Sequence, residues 1–293
     1  MTSASSSTSA VLQTPSRHWP LHEQVARLEA QIREQPAQPA HRWGLFQLLC
    51  VARQWERAIR QLQLFAQLQP LQASAAQLYR DLIRAERWRA RVFAGCERPG
   101  FVFDAPPWVD GLLDALSLAA MGLTDEADVA REAALNSAPL VAGHSAHGAF
   151  EWIGDSDSRL GPICEIVAAG HYRWLPLQDI RQWRVEEPTT LLDVVWAPCT
   201  LTLSDGSTMR GFMPARYAES SGDDALSEKA PDHTWDTLLL GRKTIWTECG
   251  RTAVVGHGRK TWTTSAGDFS VFELASCALG EPGKHKGDVN DRA

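Results

Sequence analysis

The sequence predicts a multidomain α and β protein, with an all-helical, tetratricopeptide-like (TPR-like) domain at residues 19–140 followed by an α+β domain with mainly antiparallel strands at residues 149–279. Apolar residues recur at helical steps up to Pro139, and short alternating runs with turn signals follow. The 293 residues, 22% charged and 44% hydrophobic, are typical of a globular protein with room for two domains. Residues 141–148 (VAGHSAHG) read as a linker because they are small and lack periodicity.

The first half contains a regular series of helix signals. Apolar positions from Leu21 to Ile32 recur at three- and four-residue steps, which predicts a helix that the following prolines close. A helix pair is expected between residues 41 and 69, and a further helix from Ala73 to Val92. Residues 1–18, rich in Ser and Thr, and the polar residues 280–293 are expected to be disordered tails.

An internal repeat favours the TPR-like interpretation of these helices. Ala58 stands twelve residues before Pro70, and Ala127 stands twelve residues before Pro139. In TPR hairpins, which repeat every 34 residues, a small residue allows close helix approach and a proline ends the second helix. Gly122 lies where the turn between two such helices needs conformational freedom. The unit between them is interrupted by prolines, so generic helix hairpins remain the alternative.

Turn signals divide the second half into short strands. Asp205-Gly206 is the strongest hairpin turn, because Gly accepts the positive φ of a tight turn. Two short helices are expected, at residues 190–195 and 234–240. The predicted strands are residues 164–168, 171–175, 200–203, 208–212, 253–255, 261–264 and 269–274, with Gly256-His257-Gly258 as a loop between two of them.

Composition excludes several functional classes. A net charge of −6 argues against nucleic acid as the main partner, since that affinity comes from Lys and Arg on phosphates. No apolar run is long enough for a membrane helix, and the start lacks a signal-peptide pattern, so a cytoplasmic protein is expected. The six Cys form no C-x-x-C pair, and no nucleophile elbow or phosphate-binding loop occurs. Neither catalysis nor a cofactor is therefore expected.

The segment from Asp155 to Gly161 resembles the start of a calcium loop, but Arg159 occupies a ligand position. We therefore expect Asp155, Asp157 and Arg159 to form a buried structural turn with Glu151 rather than a metal site, and Trp152 is assigned to the same structural network. The rival interpretation is a metal-dependent enzyme using the side chains of His144, His147, Asp155 and Asp157.

One predicted helix carries a basic stripe, which we define as Arg80, Arg84, Arg87 and Arg91, with Trp88 beside it. Their spacing of four, three and four residues places the arginines on one helix face. The stripe is either a solvated face or a docking strip for an acidic partner, because helical repeats commonly bind peptides or helices in a groove.

The stretch FEWIGDSDSRLGP, which contains Glu151 and Trp152, resembles the hallmark segment of the ImpE family, whose members are also called TagJ or SciE-type virulence proteins. Further matching segments follow in the same order: Tyr172 with Trp174-Leu175-Pro176; Pro188, Leu191, Asp193, Trp196 and Pro198; Gly211 with Pro214-Ala215-Arg216-Tyr217; Gly241-Arg242-Lys243-Thr244 with Trp246; and Thr264 with Ala266-Gly267-Asp268.

This resemblance implies a cytoplasmic, non-enzymatic adaptor of a bacterial type VI secretion system, with a helical part followed by an α+β part. In some family members the partner is the sheath subunit TssB, bound through its N-terminal helix, with an onward link to the sheath-recycling ATPase ClpV. The resemblance implies neither a cofactor nor membrane insertion, and it leaves the oligomeric state open. A general TPR-like peptide-binding adaptor remains an alternative function.

Overall fold

The structure is a computed structural model, and it describes residues 19–219 and 232–280. The two expected tails fall almost entirely outside these ranges. Among the described helices, none has the length and apolar character needed to cross a membrane. The helices are α1 (Leu21–Glu34), α2 (Pro39–Val51), α3 (Trp55–Leu68), α4 (Ala73–Phe93), α5 (Pro107–Ala120), α6 (Thr124–Ser137) and, between two strands of the second part, α7 (Asp232–Leu239).

The predicted helical part is confirmed, and the residues that suggested repeats have physical roles in it. Ala58 in α3 and Ala127 in α6 are both buried. Gly122 has a φ of +78° in the turn between α5 and α6, and a Cβ added at Gly111 would lie 3.0 Å from the Ala134 side chain, so α5 and α6 approach closely. Between the hairpins α2–α3 and α5–α6, the 21-residue helix α4 packs against both α3 and the second part of the chain.

The second part is antiparallel, as predicted. Its strands are β1 (Gly143–Ser145), β2 (Gly148–Phe150), β3 (Ile153–Asp155), β4 (Ile163–Ala168), β5 (His171–Pro176), β6 (Ile180–Val185), β7 (Trp196–Leu203), β8 (Thr208–Pro214), β9 (Thr244–Cys249), β10 (Ala253–Gly258), β11 (Thr261–Thr264), β12 (Gly267–Ser270) and β13 (Ser276–Leu279). The large sheet has the order β2-β1-β13-β6-β7-β8-β4-β5. Smaller sheets contain β12-β11-β3 and β10-β9.

Several local predictions are wrong for identifiable reasons. Residues 141–148 are not a bare linker, because β1 pairs with β13 and a Cβ at Gly143 would lie 2.4 Å from the Ala278 carbonyl oxygen. The small residues that suggested a linker here permit close strand packing. Gly256 is likewise inside β10, where a Cβ would lie 2.4 Å from the Tyr217 ring.

Two further corrections concern the ends of predicted elements. Residues 190–195 form turns rather than a helix, because the Asp193 carboxylate accepts the backbone N–H groups of Thr189 and Thr190 and closes the chain locally. The strand predicted at residues 269–274 ends at Ser270, whose backbone N–H donates to the Glu273 carboxylate in a following turn.

The two parts share a hydrophobic core. Buried residues of α2, α4 and α5 belong to the same cluster as Tyr172 and Trp174 of β5 and Trp196 of β7. A second cluster lies within the sheets, where the buried rings of Trp183 and Trp262 stack with their centres 5.1 Å apart. The helical and sheet parts are therefore packed together rather than joined by a flexible connection.

Candidate functional site

The turn after β3 is built by two aspartates that accept backbone N–H groups. Asp155 accepts the N–H of Asp157 at 2.9 Å. Asp157 in turn accepts the N–H of Arg159 at 3.0 Å and its guanidinium at 2.9 Å from Nε and 2.5 Å from Nη2. The Gly256 N–H of β10 also donates to Asp157, at 3.0 Å. The carboxylate oxygens that would bind calcium in a calcium loop here accept hydrogen bonds that close the turn. The likeness to a calcium loop therefore reflects a structural turn.

The buried ionic cluster, defined as Arg89, Asp155, Glu165 and Lys260, lies where α4 meets the sheets. Glu165 in β4 accepts Arg89 at 2.6 and 2.9 Å and Lys260 at 2.6 Å. Lys260 also forms an ion pair with Asp155. All four side chains are almost completely inaccessible to solvent. The cluster thus joins one helix to two strands through balanced formal charges, two positive and two negative.

Burial and neighbouring charges shift the pKa values within the cluster in opposite directions. Burial alone would raise the pKa of Glu165, but Arg89 and Lys260 hold it well below its usual range. Burial raises the pKa of Asp155 to about 6, because Lys260 opposes this effect only in part and Asp157 adds a like charge. Burial would lower the pKa of Lys260, yet Asp155 and Glu165 raise it. The cluster therefore holds Lys260 and Glu165 charged at neutral pH.

Aromatic side chains from the resemblance segments enclose the cluster. Tyr172 donates its hydroxyl to Glu165 at 2.6 Å, and the Trp174 indole N–H donates to that hydroxyl at 2.7 Å. The Lys260 ammonium lies 5.4 Å from the centre of the Tyr217 ring. The Arg159 guanidinium lies 4.7 Å from the centre of the Phe93 ring of α4, which connects the turn after β3 to the same helix.

Arg216 makes a second connection between the two parts. Its guanidinium donates to the carbonyl oxygens of Val51 at 2.7 Å and Cys50 at 3.3 Å, at the end of α2, and to that of Leu239 at the end of α7. A cation at these helix ends interacts favourably with the negative end of each helix dipole. Burial lowers the pKa of Arg216 to about 9, with repulsion from Arg53 as the next cause. The backbone carbonyl of Arg216 accepts Arg89 at 3.0 Å.

The structure places the five residues of the predicted turn network in different environments. Asp155, Asp157 and Arg159 are buried together. Glu151 is exposed in the bend between β2 and β3, and its backbone N–H donates to Ser265 Oγ at 2.7 Å. Within residues 19–219 and 232–280 its side chain forms no hydrogen bond or ion pair, so its expected membership of the buried network is wrong. Trp152 is half-buried.

The proposed metal ligands have other roles in the structure. His144 is exposed on β1, and the His147 ring stacks on Phe269 with centres 4.5 Å apart. The carboxylates of Asp155 and Asp157 are engaged by Lys260 and Arg159, respectively. Within the described residues, no group of three or more His, Cys, Asp or Glu side chains could hold a metal ion.

The basic stripe lies along α4, and most of its charges have acidic neighbours. Ion pairs form between Arg84 and Asp81 at 2.9 Å, Arg87 and Glu56 at 2.6 Å, and Arg91 and Glu97 at 2.6 Å. Arg80 is half-buried and donates to the Ala76 carbonyl oxygen at 3.3 Å. Trp88 is 39% exposed, with its indole N–H bound to the Arg98 carbonyl oxygen at 2.9 Å.

Three residues of the buried ionic cluster, Arg89, Glu165 and Lys260, are not identified by the sequence analysis. Arg89 shares its face of α4 with buried Leu82 and Ala85, so an arginine at an apolar helical position is the signal that could have found it. Glu165 carries a similar signal, because it interrupts the fully buried strand ICEIVA. Nothing in the local sequence marks Lys260 as buried.

The fold and the buried ionic cluster together define a class of protein in which helix hairpins are attached to an antiparallel sheet part through buried ion pairs. A family model described as "ImpE protein" matches residues 147–278. A curated Pseudomonas aeruginosa protein, "Type VI secretion system accessory component TagJ", is 37% identical over 254 residues, covering 87% of this chain and 85% of that protein. The chain belongs to the ImpE family.

A solved structure shows the same fold. The crystal structure of protein VPA1032 from Vibrio parahaemolyticus superposes with a TM-score of 0.79. It covers 89% of this chain and 94% of its own, at 22% sequence identity. Both the helical part and the sheet part are therefore features of that fold.

Proposed function

We propose that this protein is a non-enzymatic accessory component of a bacterial type VI secretion system that works in the cytoplasm by binding the sheath subunit TssB. The observation that carries the proposal is the 37% identity to TagJ of Pseudomonas aeruginosa across most of both chains. In this proposal the N-terminal helix of the sheath subunit is captured by the helical part, and any link to ClpV passes through the captured subunit.

The surface of α4 supports capture of a helix that has acidic residues beside its apolar face. Arg84, Arg87 and Arg91 are exposed, and their ion pairs with the chain's own acids are surface pairs of low strength. A partner carboxylate can therefore exchange with an internal one at little cost. Trp88 supplies exposed apolar area between these arginines.

The buried ionic cluster supports an adaptor rather than a catalyst. Its charged groups bind one another, and it lies beneath α4 rather than in an open cleft. By fixing α4 on the sheet part, it holds the proposed docking face rigid before the partner arrives. Preorganisation of this kind reduces the entropy cost of binding.

The proposal is tested by co-purification with tagged, unassembled TssB, the sheath subunit, with and without its first helix. The Arg84→Glu/Arg87→Glu variant is expected to weaken capture about tenfold at low salt. A neutral Arg84→Gln/Arg87→Gln variant should weaken it less, because it removes attraction without adding repulsion. Binding is measured at several salt concentrations, since screening should shrink all of these differences.

A matched control reverses two exposed arginines of the sheet part, Arg181→Glu/Arg251→Glu, one of which is also in a surface ion pair. This control should capture the sheath subunit as well as the unchanged protein. Capture that survives loss of the first helix of TssB contradicts the proposed mode of binding. Equal weakening by the control and the α4 variant would leave the basic stripe as a solvated face.

A further inference from the structure

Strand β9 has an open backbone edge. Among the described residues it pairs only with β10. The Arg259 N–H donates to the Lys243 carbonyl oxygen at 3.1 Å, next to this ladder. In an antiparallel pair, alternate residues direct their N–H and C=O groups to the same side. Counting from this bond, Ile245 and Thr247 face β10, whereas Thr244, Trp246 and Glu248 direct their backbone groups outward.

The far side of β10 is occupied, which supports this assignment. The Val254 carbonyl oxygen accepts the Ser158 N–H at 3.0 Å. The Gly256 N–H donates to the Asp157 carboxylate at 3.0 Å, and the Gly258 carbonyl oxygen accepts the Tyr217 N–H at 2.9 Å. The β9–β10 pair is thus anchored along one edge, and the edge formed by β9 has six outward backbone groups without a partner in the described part of the chain.

The side chains around this edge also have unused binding capacity. Trp246 is 43% exposed and contacts the Tyr217 ring edge-on at 5.6 Å. Arg242 and Lys243 are exposed at the start of the strand, and within the described residues neither side chain has an ion pair or hydrogen bond. By contrast, most arginines of the basic stripe form ion pairs with acidic residues of the chain. Trp246, Arg242 and Lys243 all belong to one resemblance segment.

We propose that the β9 edge is a docking site for an extended, acidic segment of a partner protein, which adds to the sheet as a strand. Thr244, Trp246 and Glu248 supply the backbone hydrogen bonds, and the Trp246 ring covers an apolar side chain of the added strand. Arg242 and Lys243 select acidic residues at one end. Nucleic acid is disfavoured as the partner, because Arg242 and Lys243 supply only two cations at this edge and the chain as a whole has a net charge of −6. This site is separate from the α4 surface and does not depend on helix capture.

The probes are short, end-blocked peptides of alternating Thr and Val with an Asp pair at one end or the other, so that both strand directions are covered. Versions with a Lys pair are the controls. Affinity is measured by calorimetry and the location by hydrogen exchange of the full chain. An Asp peptide is expected to bind and to slow amide exchange in residues 244–248. Equal binding of the Lys peptides, or protection elsewhere, overturns the proposal.

Two variants separate the backbone and charge contributions. Glu248→Pro removes one outward N–H and leaves the bonds to β10 intact, so it should abolish protection, whereas Glu248→Ala should preserve it. Arg242→Glu/Lys243→Glu should weaken binding of the Asp peptides about tenfold with an unchanged thermal midpoint. Unchanged affinity in that double variant contradicts the charge selection. Light scattering that shows a dimer broken by Glu248→Pro would assign the edge to a second copy instead.

Discussion

Replacing Glu165 with Gln removes one negative charge from the buried ionic cluster and keeps the shape of the side chain. The amide oxygen can still accept Arg89 or Tyr172, which lie 2.6 Å from Oε1 in the present structure. Its NH2 group then faces the Lys260 ammonium, which now bonds to Oε2 at 2.6 Å. Two donors therefore meet where a charge-assisted hydrogen bond was, and the cluster keeps two positive charges but only one negative.

The expected loss of stability follows from the burial of the cluster. Breaking a buried ion pair by removing one partner costs about 3–5 kcal/mol, because the remaining charge cannot return to water. For a chain of this size, each kcal/mol lowers the thermal midpoint by roughly 2–4 °C, so Glu165→Gln should lower it by about 10 °C. Because the two parts share a core, one transition should be observed.

The measurement is calorimetry or circular dichroism of the unfolding transition at neutral pH. Glu56→Gln is the matched control, because it removes an exposed partner of Arg87 and should leave the midpoint within ~1 °C. Adding Lys260→Met to Glu165→Gln removes the opposed donor and should recover part of the loss. A midpoint lowered by no more than ~2 °C in Glu165→Gln, or additive losses in the double variant, would refute the account of the cluster.

Two further predictions concern buried charged residues that connect the helical part to the sheet part. Burial raises the folded-state pKa of Asp155 to about 6, so this carboxyl stabilises the fold below pH ~4, and that contribution is lost as the pH rises toward 6. The free energy of unfolding of Asp155→Asn, relative to that of the unchanged protein, should therefore increase by about 1–3 kcal/mol between pH ~4 and 6 in urea unfolding. A difference that does not change with pH would contradict the pKa shift. Arg216→Met removes the donor that binds buried carbonyl oxygens at the ends of α2 and α7, which should cost about 1–3 kcal/mol per carbonyl group. Amide exchange in the last turns of both helices should become faster. Exchange that is slowed or unchanged there would show that Arg216 does not stabilise these helix ends.

Local patterns were sufficient where neighbouring residues decide the structure. The apolar period from Leu21 predicts α1 because one helix face must be buried. Asp205-Gly206 predicts the β7–β8 turn because Gly206 adopts a φ of +86°. Gly256 misleads for the opposite reason: its small size serves close packing against Tyr217 inside a strand, and composition alone does not distinguish that role from a loop.

Together, the turn after β3 and the buried ionic cluster were predictable only in part, because the residues of the cluster are far apart in the chain. The turn of Asp155, Asp157 and Arg159 is local, and its residue types indicate its geometry. The contacts of Glu165 with Arg89 and Lys260 span 76 and 95 residues, respectively, so no periodicity relates them. A charge within an apolar helix face or strand indicates a buried partner without naming it.

The position of β13 between β1 and β6 has a consequence for synthesis on the ribosome. Translation must reach residue 279 before β1 and β2 can join the rest of the large sheet. The pairing of the two helices within each hairpin is short-range in sequence, so the hairpins can form earlier, as the chain emerges. Until β13 arrives, both strand edges that it will cover stay open, and the nascent chain has a period in which misassembly with another chain competes with folding.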